Sequence, residues 1–129
     1  MDQRNTILTG VLLMGLGVII GAFGAHALSA VLTENGRLDT YETAVRYQFY
    51  HALGLLVIGL LMDKFPARLL RYAAICIFFG VLIFSGSLYI LSITGITILG
   101  AVTPFGGALM IVGWVLVFTG VLKNKVTDS

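Results

Sequence analysis

Apolar residues in this chain do not alternate with polar ones; they run in long blocks. Ile7 to Phe23 forms one block, Ala52 to Met62 closes a second whose first turns are polar, and between Arg71 and Lys123 about fifty residues pass without an Asp, Glu, Lys or Arg. A soluble fold of this size could not keep such a run from water, whereas about twenty apolar residues cross a ~30 Å hydrocarbon core. The run is long enough for two crossings and a connection. The pattern therefore predicts an all-α, integral membrane four-helix bundle, a single domain over 1–129, with helices at about 6–34, 39–62, 67–92 and 104–122.

Local signals set those boundaries. Asn35-Gly36 suits the left-handed C-terminal cap of the first helix. Asp39 with Glu42 three residues on has capping-box spacing for the second. Asp63-Lys64-Phe65-Pro66 breaks the pattern, and Thr103-Pro104 opens the fourth helix with a capping hydroxyl and a proline in the first turn. The connection Ile93 to Thr103 is too apolar for a freely hydrated loop. It is expected to fold over the outer end of the bundle, as a cap or a shallow re-entrant piece.

Composition fits this picture and excludes several functions. The chain is 58% hydrophobic and 11% charged, with a mean hydropathy of +1.00, far from the roughly one-quarter charged residues of soluble domains. The net charge of +2 comes from scattered residues, so a nucleic-acid partner has no support. Cys76 is a single cysteine without a disulfide or metal-cluster partner. Arg4 followed by an apolar stretch and the small residues Ala25, Ala27 and Ser29 imitates a secretion signal, but the stretch exceeds the roughly 7–15 residues of a signal core and reads as a first membrane helix. Arg4, Lys64, Arg68, Arg71, Lys123 and Lys125 fall on one side of four crossings, and Arg37 and Arg46 on the other. The positive-inside rule then puts both termini in the cytoplasm.

Sixteen glycines need an explanation, and their spacing supplies one. Gly10, Gly17 and Gly24 recur every seven residues, with Gly21 four after Gly17, and Gly106, Gly113 and Gly120 repeat the interval near the C-terminus. Such faces let helix backbones approach closely in lipid. They are expected to be packing seams, within the chain or between the copies of a homo-oligomer.

The candidate chemistry lies toward the outer face. Intramembrane ionisable residues are costly and suggest function. His26 and His51 fall in the hairpin of the first two helices, near Tyr41, Glu42, Arg46, Tyr47, Gln48 and Tyr50. A hairpin pivoting near Arg37 sets His26 beside Gln48 and His51 beside Phe23, with the imidazoles ~5 Å apart along the axis; counting from the cytoplasmic charges gives ~13 Å. Glu42 and Arg46 are spaced for an ion pair, and Tyr41, Tyr47 and Tyr50 for an aromatic belt. Ser85, Ser87 and Tyr89 on the third helix and Thr103 beyond it complete the polar set, with Gly86 leaving room. Neither serine has an activating base or catalytic motif nearby, so no catalytic residue, metal ligand or cofactor is assigned.

The stretches GAFGAHAL (Gly21 to Leu28), YQFYHAL (Tyr47 to Leu53), FSGSLYIL (Phe84 to Leu91) and GITILGAVTPFGG (Gly95 to Gly107) together resemble the domain of unknown function 423 family, with its transmembrane protein 256 and UPF0382-like small membrane relatives. The resemblance covers nearly the whole chain. It implies a bacterial plasma-membrane protein of the same architecture and brings no activity, substrate or catalytic residue. The leading expectation is a non-enzymatic protein whose outer-half polar cavity binds or passes a small hydrophobic molecule, lipid or ion. The alternatives are a structural or assembly factor using the same groups as interhelical hydrogen bonds, and a bis-histidine haem or metal protein.

Overall fold

The computed structural model describes residues 1–123; Lys125, counted above for orientation, lies outside them. The described chain is helical: α1 Gln3–Ala25, α2 Ser29–Glu34, α3 Leu38–Leu61, α4 Ala67–Thr94, a 3-10 turn Thr97–Ala101 and α5 Thr103–Leu122. Four of these, with the 3-10 turn leading into α5, are long and apolar enough to cross a membrane.

α1 starts earlier than expected because the Asp2 carboxylate accepts the Asn5 N–H at 2.8 Å, a side-chain cap for the first turn. The continuous first helix expected over 6–34 is instead two helices. The break follows Ala25, where the N–H of His26 bonds back to Ala22 and Phe23 and that of Leu28 reaches Phe23. Tertiary contacts explain it: α2 buries Leu32 completely, and Asn35 Nδ2 donates to the carbonyls of Ser92 and Ile93, both at 3.1 Å. Those carbonyls belong to the last turn of α4, where no intrahelical donor remains.

Gly36 ends α2 at φ +67°. Its N–H bonds to Thr33 and that of Arg37 to Leu32, a paired terminal motif that favours glycine at the left-handed position. The expected capping box does not form. α3 begins at Leu38, so Asp39 already lies in its first turn, and no side chain caps the helix. Thr103 is not the cap of α5 either: the cap position is Val102, and the threonine hydroxyl is used elsewhere.

The spanning helices pack in chain order, α1 on α3, α3 on α4 and α4 on α5, so that α1 and α5 form the two edges. The main core gathers Leu13, Leu55, Ile58, Leu70, Ile77 and Met110 from all four. Both glycine series face into the chain. A Cβ on Gly24 would collide with the Tyr41 ring, one on Gly17 would stand 2.9 Å from Phe49, and one on Gly10 2.9 Å from the Ala52 carbonyl oxygen. On α5, a Cβ on Gly106 would strike the Phe84 backbone, and one on Gly113 would lie 2.5 Å from Ile77. Gly21 and Gly120 are looser, at 3.5 Å from Val45 and 3.4 Å from Leu70. Apart from Gly21, which borders an open cleft, these glycines pack against α3 and α4 of the same chain.

The connection between α4 and α5 does not cap the molecule. It stays against the two helices it joins. Of it, Leu99 alone packs on the small core of Ala44, Leu88 and Leu91, while Ile98 is 74% exposed.

Candidate functional site

α3 carries the polar interior, and its residues reach a partner on every side. Toward α1, the Tyr41 hydroxyl donates to the Ile20 carbonyl at 2.6 Å, and Gln48 Nε2 donates to the Leu13 carbonyl at 2.8 Å. Toward α4, Tyr89 donates its hydroxyl to Gln48 Oε1 at 2.5 Å, and Ser85 donates to the Ala44 carbonyl at 2.8 Å. The Gln48 amide thereby joins three helices. Tyr41 belongs to this interior and not to an interfacial belt: it is 3% exposed, and its ring lies 5.3 Å from that of Tyr89.

His51 links α3 to α5. Trp114 Nε1 donates to His51 Nε2 at 3.0 Å, and His51 Nδ1 lies 2.8 Å from the Tyr47 carbonyl. Indole N–H is a donor only, so Nε2 accepts and Nδ1 carries the proton it donates to Tyr47. Both ring nitrogens are occupied in this neutral tautomer. Gly54, one turn below, makes the approach of the indole possible, since a Cβ there would stand 2.7 Å from Trp114 Cη2. The Tyr47 side chain is half-exposed, with its ring 4.7 Å from that of Phe84. A further pair closes α4 against α5, Ser87 Oγ and Thr103 Oγ1 at 2.6 Å. Among the described residues, no buried side-chain nitrogen or oxygen lacks a partner.

His26 does not join this set. It is exposed at the end of α1, beside Ala22 and Phe23 on the outer surface. The contacts of Gly17 with Phe49 and of Gly24 with Tyr41 place His26 level with about residue 40 of α3. Eleven residues then separate it from the level of His51, ~16 Å along the axis at the helical rise. The ~5 Å expected from a simple hairpin fails because α2 removes six residues from the α1 and α3 register. The two imidazoles therefore do not converge on one ion or haem. Arg46 likewise turns to the Thr43 hydroxyl, at 3.3 Å, instead of pairing with Glu42.

Trp114 and Gly54 are the contributors that spacing along the chain did not reveal. Trp114 lies 63 residues from His51, and it falls outside the stretches that stand out in the sequence. The one available signal was that this is the sole tryptophan of the chain, an N–H donor set in an apolar run. Two open clefts flank Tyr41 at the α2 end. One, of about 300 Å³, is bounded by Gly21, Gly24, Tyr41, Glu42 and Arg46; the other, of about 290 Å³, is apolar and bounded by Ile20, Phe23, Leu28, Tyr89 and Ile93. No group of three or more His, Cys, Asp or Glu side chains converges among the described residues.

The profile of a family described as "Protein of unknown function (DUF423)" matches residues 20–107. A UPF0382 membrane protein of Staphylococcus epidermidis is 44% identical over 117 residues, covering 91% of this chain and 94% of its own. One from Staphylococcus haemolyticus has the same identity and coverage. The UPF0382 membrane protein YwdK of Bacillus subtilis is 42% identical over 118 residues, covering 91% of this chain and 95% of its own. No solved structure matches the chain significantly. The stretches YQFYHAL and FSGSLYIL lie within residues 20–107, and the chain belongs to the DUF423 family of membrane proteins of unknown function.

Proposed function

We propose that this multi-pass protein is a non-enzymatic scaffold of the bacterial plasma membrane, with both termini cytoplasmic, whose interior polar residues lock its helices and do not conduct a solute. The observation that carries this reading is the complete pairing of the buried polar side chains among the described residues. A proton relay needs partners that give and take a proton, whereas His51 is bonded to an indole N–H, which does not release one, and to a backbone carbonyl, which does not take one up. The edges of the row present apolar faces to lipid or to other membrane helices, as an assembly factor would. The test is flux in proteoliposomes. Wild-type protein and His51→Leu are expected to show the same background permeability to protons and small ions, while His51→Leu melts at lower temperature in detergent; a wild-type flux abolished by the substitution overturns the reading.

A second reading, lipid or amphiphile binding, is favoured by the clefts beside Tyr41. Gly21→Leu would fill the first cleft without a backbone clash, because a Cβ there meets only Val45 at 3.5 Å. If lipid occupies it, this variant should retain its stability and lose at least half of the lipid that co-purifies with wild type. Unchanged co-purifying lipid sinks this second reading.

A further inference from the structure

At the end of the molecule away from α2, a different kind of opening lies between the starts of α1 and α4. It measures about 400 Å³ and is lined by Met1, Ala67, Arg68, Arg71 and Tyr72. Arg68 and Arg71 are three residues apart, so they share one face of the α4 first turns. Both are exposed. Neither pairs with a carboxylate among the described residues, and the Arg68 guanidinium lies over the Tyr72 ring, 6.0 Å from its centroid. Two like charges thus stand side by side in an opening that has an apolar wall and no anion of its own.

The surroundings reinforce the sign. The contacts of Gly113 with Ile77 and of Gly120 with Leu70 bring Lys123 level with Ala67, and Arg4 and Lys64 lie at the same end. Five cationic side chains meet only Asp2 and Asp63 there among the described residues. The ends of spanning helices lie at the depth of lipid headgroups, and basic pockets between such helices attract anionic ones. Guanidinium groups match phosphate oxygens in a fork geometry that a lysine ammonium does not reproduce.

We propose that this cleft binds the headgroup of an anionic phospholipid from the surrounding bilayer, its phosphate held between Arg68 and Arg71 and its first acyl carbons against Met1 and Tyr72. The occupant is a lipid and not a soluble anion because the opening joins a basic rim to an apolar wall.

The experiment titrates the full-length protein, solubilised in a neutral detergent, with short-chain phosphatidylglycerol, short-chain phosphatidylcholine or inorganic phosphate, and reads the melting temperature and the lipid adducts by native mass spectrometry. Phosphatidylglycerol should raise the melting temperature and phosphatidylcholine and phosphate should not. Arg68→Gln with Arg71→Gln should weaken the phosphatidylglycerol adduct at least tenfold, and Lys123→Gln should leave it within twofold. Should the double glutamine variant fail to fold, Arg68→Lys with Arg71→Lys retains the charge and is expected to weaken the adduct severalfold through loss of the fork. Equal response to phosphatidylcholine, the same effect from phosphate alone, an equal loss in Lys123→Gln, or full binding by the lysine variant each overturns the proposal.

Discussion

At the scale of single residues, the pair His51 and Trp114 carries the most information, because the buried imidazole gains its Nε2 donor from an indole that is itself 40% exposed. Trp114→Phe removes the donor and keeps the ring, so Nε2 loses its partner. Interhelical hydrogen bonds in membrane proteins contribute about 0.6 to 2 kcal/mol, and Trp114→Phe should cost about that much in unfolding measured in detergent. Combining it with His51→Phe should cost less than the two single changes added together. Strict additivity would show that the two side chains do not interact. The Tyr41 hydroxyl on Ile20 and the Gln48 amide on Leu13 follow the same logic, with side chains of α3 gripping backbone carbonyls of α1.

At the scale of helices, the glycines divide by what stands opposite them. Gly24→Ala and Gly106→Ala drive a methyl into the Tyr41 ring and the Phe84 backbone, and each is expected to destabilise by about 1–3 kcal/mol. Gly15→Ala and Gly86→Ala meet nothing within 4 Å, so the better helix propensity of alanine should leave stability unchanged or raise it by up to about 1 kcal/mol. Melting temperatures of the four variants check this, and an equal fall in all four would refute the assignment of the seams. The broken first segment belongs to the same scale. α2 exists as a separate helix because burying Leu32 and bonding Asn35 to the end of α4 gain more than a straight helix gains from continuing.

For the whole molecule, charge separates the two ends. Arg4, Lys64, Arg68, Arg71 and Lys123 gather at one, and Arg37 and Arg46 share the other with Glu34, Asp39 and Glu42. With short connections, positive residues resist translocation. After replacement of Cys76 by serine, a cysteine at Arg37 should react with an impermeant maleimide added outside intact cells, and one at Lys64 should react after lysis only. The reverse pattern would invert the proposed topology. The row order of helices also leaves α1 and α5 as the edges, which present exposed apolar side chains such as Leu12, Phe105 and Phe118.

Membrane residence, the four spanning segments and the glycine periodicity were legible in the chain, because each depends on composition or on spacing within one helix. Ser85, Ser87, Tyr89, Gln48, His51 and Thr103 could be named as a polar set for the same reason: a hydrophilic group in an apolar run stands out whatever it touches. Their partners could not be named. Which carbonyl or ring nitrogen each one meets depends on the register between helices, and a short helix at Ser29–Glu34 shifted the register of α1 against α3 by about two turns. That shift separated His26 from His51 and removed the convergent site their types suggested. It also took tertiary packing to bring Trp114 to His51 across 63 residues. Sequence determined which residues must find partners in lipid, since an unpaired polar group there is costly; the packing of helices decided which partners they found, because that choice rests on shape across contacts distant in the chain.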